Sequence, residues 1–400
     1  MTTPTRPTRT TPIRATPTTP TRTTPASDGA LLRAIAPVPV EEFLERHWER
    51  EPLHVARGEP GRFDDLLSAR DVERALEEPG LRVPGFRLVK AGEQLGGYTT
   101  ELSWRPQPFT GVAETSRVVE EVANGATLVL QGLHLTRLST AAYCRELEAR
   151  LGQPAQANAY FTPRRSQGLP VHHDTHDVFV LQISGTKRWR VYAPVWELPL
   201  KRQRYDAAMG EPGETVLDVV LEPGDTLYLP RGWLHEALTS GEDSLHLTVG
   251  VAVFTWVDAF RAALDRCEHH VAFRRSPGGD AAELLERLGE ELAPAEDMLD
   301  RLVRSRRPIL DGQLSQLRSL DRIESVERRA TVIAAWDGER LRFEGKTISF
   351  PPQAREAVEA LLAAEGPVEL GELPGPLDGE GHTVLARRLV REGFLRIVRS

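Results

Sequence analysis

The chain has 400 residues, 40% of them hydrophobic and 27% charged, with a formal net charge of −8. That length predicts two or three domains, and the acidic total argues against direct nucleic-acid binding, which needs a basic face. With only Cys144 and Cys267, and no apolar run near the roughly 18 residues of a membrane span, the sequence excludes a disulfide framework, a cysteine-rich zinc site and a spanning helix. A cytoplasmic protein without membrane contacts is expected.

The opening MTTPTRPTRTTPIRATPTTPTRTTPA is Thr, Pro and Arg almost throughout and cannot build a core. Residues 1–29 are therefore expected to be a disordered tail. It has no apolar region of the kind a secretory signal carries. VPVEEFLERHWEREPLHV reads as a helix followed by an extended exit at Pro52, and SARDVERALEE as a short helix capped by Ser68. GATLVLQGLHL has the β-branched look of a buried strand. STAAYCRELEARLG reads as a helix with Ser139 or Thr140 as N-cap and Gly152 as its stop.

From Asn158 to about Thr255 the pattern changes to short strands: NAYFTP, DVFVLQIS, KRWRVYAP, ETVLDVVLE, DTLYLP and SLHLTVGVAVF. Turn chemistry at Ser184-Gly185 and Pro223-Gly224-Asp225 separates them, so an antiparallel sandwich or barrel is predicted. Helical periods return in WVDAFRAALDRC, AAELLERLGEEL and MLDRLVRSRR. The C-terminal stretch orders two hairpin strands, a helix, a second helix and a last strand, the order of a winged helix. Residues 340–400 hold nine basic and nine acidic side chains. A neutral module of this kind reads as a scaffold or protein-contact domain rather than a phosphate binder.

Chemistry concentrates in GLPVHHDTHD, residues 168–177. On a strand, His172 and Asp174 share a face and His173 points away. A third corner comes from GDTLYLPRGWLHEA, where Gly224, Pro230, Gly232 and His235 follow the spacing of the second cupin motif. Thr239 stands where that motif often has Asn. Two imidazoles and one carboxylate leave an open coordination face, the arrangement of non-haem Fe(II) oxygenases. Lys187 is placed to meet a co-substrate carboxylate, and Asn158 and Tyr160 alternate on the strand before the cluster. His173 and His176 read as rim residues, His246 as a satisfied barrel histidine, and Trp189 and Trp233 as packing. His269 and His270, adjacent in a helix, do not share a metal.

NAYFTPRRSQGLPVHHDTHDVFVLQISGTKRWRVYAP, DTLYLPRGWLHEALTS and SLHLTVG together resemble the JmjC-domain ribosomal oxygenases of the cupin superfamily. FLERHWEREPLHVAR and the helices after Trp256 extend the likeness over nearly all of the chain beyond the tail. The resemblance implies an α+β fold. A double-stranded β-helix core fills 30–255, a helical dimerisation region 256–328 and a winged helix 329–400. It implies Fe(II) held by His172, Asp174 and His235, with 2-oxoglutarate and O2 as co-substrates. Lys187 would bind the distal carboxylate of the keto acid, with Tyr160 or Asn158 beside it or beside the substrate. The family usually has an aromatic between the first ligand and the aspartate; this chain has His173. The implied activity is hydroxylation of an Arg or His side chain in a ribosomal protein by a homodimer. N-methyl-lysine demethylation and a non-catalytic metal-binding scaffold are the alternatives.

Overall fold

Side-chain alternation explains the centre of the molecule. In the strand Asp177–Ser184, Phe179, Leu181 and Ile183 point to one face and join the core beneath the N-terminal helices. Val178 and Val180 point to the other face and meet Trp189, Val191, Leu227 and Leu229. Both faces are buried, which is why this segment reads as an unbroken apolar run.

The computed structural model describes residues 21–22 and 29–398, except 79, 104–106, 167–168, 207, 209, 211, 240, 279–280, 307–311 and 321. Eight antiparallel strands make the larger sheet. Their order is Leu53–Val55, Thr226–Leu229, Asp177–Ser184, Ser244–Val251, Ala155–Thr162, Thr127–Leu130, Phe86–Lys90, Glu93–Gln94. A smaller sheet orders Thr215–Leu221, Lys187–Tyr192, Leu234–Leu238. It faces the larger one across the Val178–Trp189 cluster, giving the expected β-core of facing sheets.

The helices Gly29–Ile35 and Leu138–Leu151 lie on the outer face of the larger sheet. Phe43 meets Tyr228 edge-on at 4.9 Å, and Phe43, Phe179 and Tyr228 are all fully buried. Burial of each such side chain contributes roughly 1.5–3 kcal/mol.

Several expectations need correction. The helix predicted in VPVEEFLERHWER is a single α-turn, Val40–Glu42, that continues as a π-turn over Phe43–His47, where Trp48 N donates to Phe43 O. Ser68 does cap its helix, in a reciprocal box with Asp71. The 138–151 helix instead starts from Arg137, because the Ser139 and Thr140 hydroxyls donate to Leu66 O and tie the helix to the preceding loop. His269 and His270, expected in a helix, both lie beyond the one that ends at Cys267. Most of the Thr/Pro tail lies outside the described residues; Thr21–Arg22 pair antiparallel with Trp336 and Ala335.

The helices Trp256–Cys267, Ala282–Glu290 and Pro294–Ser305 follow the β-core. After them the chain builds a separate apolar core from the helices Arg355–Ala363 and Gly379–Glu392 and short strands. The boundary expected between 328 and 329 is misplaced. Ser325–Arg328 pairs with Leu395–Val398, and Leu320 and Ile323 already belong to that last core. Among the described residues, no helix is long and apolar enough to cross a membrane.

Candidate metal centre

The expected strand through His172 and Asp174 is absent. Residues 173–176 form an irregular approach to the strand at Asp177, and only His172 pairs, through an isolated bridge to His235. Its two hydrogen bonds, His235 N to His172 O at 2.8 Å and His172 N to His235 O at 3.1 Å, fasten the approach to the smaller sheet. Gly232 N donates to Asp174 O at 3.0 Å and fixes the third corner. The physical reason is purchase: one pair of bridging bonds and a turn amide position all three side chains without a continuous ladder.

One ligand atom from each of His172, Asp174 and His235 lies within 4.8 Å of the others. His172 Nδ1 donates to Pro170 O at 2.8 Å and His235 Nδ1 to Trp233 O at 3.0 Å. Since a carbonyl only accepts, each ring donates from Nδ1, which leaves Nε2 as the atom available to a metal. Burial, and then the neighbouring His172 ring, push the His235 pKa down to about 4, so this imidazole is neutral near pH 7. Burial raises the Asp174 carboxyl, but the His176, His235 and His172 rings outweigh it and hold the group below its usual range. Two imidazoles and one carboxylate are the donor set of a divalent transition metal with an open face.

The triad lines a cavity that also contains Lys187, Tyr160, Trp189 and His246. Lys187 is buried, and its Nζ donates to Thr162 Oγ1 at 2.9 Å. Thr127 Oγ1 meets the same oxygen at 3.1 Å. Burial alone lowers the lysine pKa to about 7. Among the described residues no carboxylate pairs with this amine, so the cavity presents an unmatched cationic group to whatever enters. Tyr160 stacks on His246, with ring centroids 5.0 Å apart and planes 3° from parallel.

The remaining site expectations divide. Asn158 does not line the cavity: its Oδ1 accepts from Gly132 N at 2.9 Å and orders the turn before the 133–136 helix. His173 is buried rather than on a rim: it does not line the cavity, and its Nε2 donates to Gln203 O at 3.1 Å. Thr239 takes over a fastening role where Asn was expected, donating to Pro163 O at 2.7 Å and accepting from Ser166 N at 3.0 Å. For His246 and Trp189 the sequence predicts a satisfied barrel histidine and a packing residue. They line the cavity, and His246 Nδ1 and Trp189 Nε1 are buried without a hydrogen-bond partner. Sequence reasoning missed Thr162 and Thr127. Thr162 sits two residues after Tyr160 on the same strand face, a signal that alternation offered.

Lys187 is delivered by a turn that admits only glycine. Gly185 has φ +60°, and a Cβ there would collide with the carbonyl oxygen of Asp243. Gly185→Ala is expected to destabilise the fold by about 3 kcal/mol or more, combining backbone strain with the clash. Urea unfolding checks it; a midpoint equal to wild type would show that the turn relaxes freely.

A JmjC domain model matches residues 134–259, the segment that carries the triad and Lys187. Ribosomal oxygenase 1 of Homo sapiens is 32% identical over 273 residues, covering 66% of this chain and 41% of its own length. The bifunctional lysine-specific demethylase and histidyl-hydroxylase NO66 of Drosophila persimilis is 34% identical over 221 residues, covering 55% of this chain and 31% of its own. The chain thus spans less than half the length of these relatives. The ribosomal oxygenase YcfD of Escherichia coli, solved with cobalt and 2-oxoglutarate, superimposes with a TM-score of 0.57 at 21% identity over 91% of this chain and 99% of that one. That likeness extends the shared fold beyond the β-core. Residues 134–259 thus match a JmjC domain, and the chain is similar to the JmjC-domain ribosomal oxygenases.

Proposed function

We propose that the protein is an Fe(II)- and 2-oxoglutarate-dependent oxygenase that hydroxylates a side chain, Arg or His, in a ribosomal protein. The observation that carries this reading is the convergence of two unlike sites in one cavity: a two-histidine, one-carboxylate triad and a buried, carboxylate-free lysine. His172, Asp174 and His235 would hold the iron. With the keto acid and O2, that metal supplies the oxidising chemistry that a C–H bond requires. Lys187, ordered by Thr162, neutralises the distal carboxylate of the keto acid. Tyr160 and Trp189 bound the same cavity with apolar rings and exclude water from it.

The names of the relatives support both the ribosomal target and a second reading. The Drosophila protein carries demethylase as well as histidyl-hydroxylase in its name. N-methyl-lysine demethylation requires the same donor set and differs by releasing formaldehyde. The exposed apolar row Trp256, Phe260 and Leu264, at helical spacing, supports a homodimer through the 256–328 helices. The strand and helix order of the last core supports the winged-helix reading, and the family supports a cytoplasmic place.

Intact masses of ribosomal proteins from cells with and without the gene test the proposal. One protein is expected to gain the mass of a single oxygen atom only when the wild-type gene is present. Formaldehyde release from methylated peptides, with no oxygen gain, would replace hydroxylation by demethylation.

A further inference from the structure

A second cavity, of 510 Å³, opens beside the metal centre. Thr175 and His176 line it, while the preceding residue, Asp174, lines the cavity of the triad, so one short segment partitions the two. The partition is held in place by a missing side chain: a Cβ at Gly250 would collide with the His176 ring.

The walls carry six cations, Lys201, Arg202, Arg204, Arg231, Arg261 and Arg301, against one carboxylate, Asp258. Two of the six are matched, Arg231 by Glu49 at 2.5 Å and Asp177 at 2.9 Å, and Arg261 by Asp258 at 3.9 Å. Among the described residues no carboxylate stands at ion-pair distance from Lys201, Arg202, Arg204 or Arg301. Four cations without a carboxylate partner among the described residues, Arg301 lying over the Phe254 ring at 5.9 Å, gather around one groove in a chain of net charge −8 and favour an anionic partner.

The lining holds no Phe, Tyr or Trp. It therefore offers no aromatic platform of the kind on which single-stranded nucleic-acid binding relies. Apolar stretches such as Pro199–Leu200 and Ala252–Val253 lie among the cations instead. Arginine forks pair bidentately with carboxylates. We infer that this groove holds an acidic, Asp- or Glu-bearing segment of the substrate polypeptide, next in sequence to the residue presented at the triad. The inference rests on the protein-hydroxylase reading above and adds to it a determinant of substrate choice.

The test is fluorescence anisotropy with the full chain and two labelled peptides, one alternating Glu with Gly and one alternating Lys with Gly. The Glu peptide is expected to bind at least about tenfold more tightly, and less so as salt rises. The variant K201E/R202E/R204E is expected to reverse that order. All three side chains are exposed, so its melting temperature is expected to match wild type; if the variant unfolds, Arg301→Gln on a separate helix is expected to weaken Glu-peptide binding by itself. Equal affinity for the two peptides, an unmoved preference in the folded variants, or displacement of the Glu peptide by an oligouridylate of equal length overturns the inference. Binding is read without metal or keto acid, so this outcome and that of the hydroxylation assay are independent.

Discussion

Alanine at His172 or Asp174 is expected to weaken divalent-metal binding by at least about a hundredfold, because the outer partners of metal ligands already cost 10- to 100-fold. Both residues contribute one of three donors gathered within 4.8 Å, and neither is part of the apolar core. The variants should therefore fold. Metal present at a thousand times its Kd adds about 4 kcal/mol to the stability of a protein that binds it only when folded. Wild type is expected to melt at a higher temperature when Co(II) is added, and His172→Ala and Asp174→Ala are expected to melt at one temperature with or without it. Turnover of 2-oxoglutarate should vanish in the same variants. A variant that keeps the metal-induced rise would remove that residue from the ligand set. His235 is a harsher probe, since it is buried against Trp189 with ring centroids 5.9 Å apart. Its alanine variant opens a cavity as well as removing a donor.

The triad was legible because its sequence signals are short-range. Gly224, Pro230 and Gly232 set the turn that delivers His235, and the spacing of His172 and Asp174 puts two donors side by side whether or not the backbone is a regular strand. The strand face was the wrong reason for a correct pairing. What aligns the two segments is the His172–His235 bridge and the Gly232 amide, contacts between residues about sixty apart that no local period encodes. Lys187 was legible from its place in the segment that resembles the oxygenases, ISGTKRWRVY. Its partner Thr162 was not, because it comes from another strand and a threonine in a β-segment carries no distinguishing pattern.

The same division holds for the fold. Long amphipathic helices and two-sided strands such as Asp177–Ser184 carry their period in the sequence. Short pieces do not: Leu234–Leu238, Ser325–Arg328 and Val368–Glu369 are strands by pairing rather than by propensity. Ser325–Arg328 takes its identity from Leu395–Val398 at the far end of the chain, which displaced the domain boundary. Asn158 shows the converse error. It shares the strand face of Tyr160, but its carboxamide, in the middle of the strand Ala155–Thr162, is taken by a contact from outside the strand, the amide of Gly132.

Lys187→Met is expected to lower affinity for 2-oxoglutarate by about a hundredfold or more, the cost of deleting one member of a desolvated charge pair. The same variant is expected to stabilise the ligand-free protein, and the sign follows from the pKa. Burial lowers the amine from 10.5 to about 7 in the folded chain. Between those two values the unfolded chain binds one more proton than the folded one, so wild-type stability rises with pH across that window. Below about pH 7 both states carry the charge and the folded state bears the full cost of burying it, several kcal/mol at about 1.4 kcal/mol per pH unit. Lys187→Met removes that cost. Its advantage in melting temperature is expected to be largest near pH 6 and to shrink as pH climbs past 7. Ligand binding runs the other way. The carboxylate pairs only with the ammonium, so affinity should be level below about pH 7 and weaken by up to about tenfold per pH unit above it, with one proton taken up per molecule bound. His235, with its pKa near 4, does not titrate in this range. Calorimetry of keto-acid binding to the metal-loaded protein across pH 6 to 9 reads both the affinity and the proton. Binding by Lys187→Met at wild-type strength, or a wild-type affinity flat across that range, would place the distal carboxylate elsewhere in the cavity and leave the buried amine as a structural partner of Thr162.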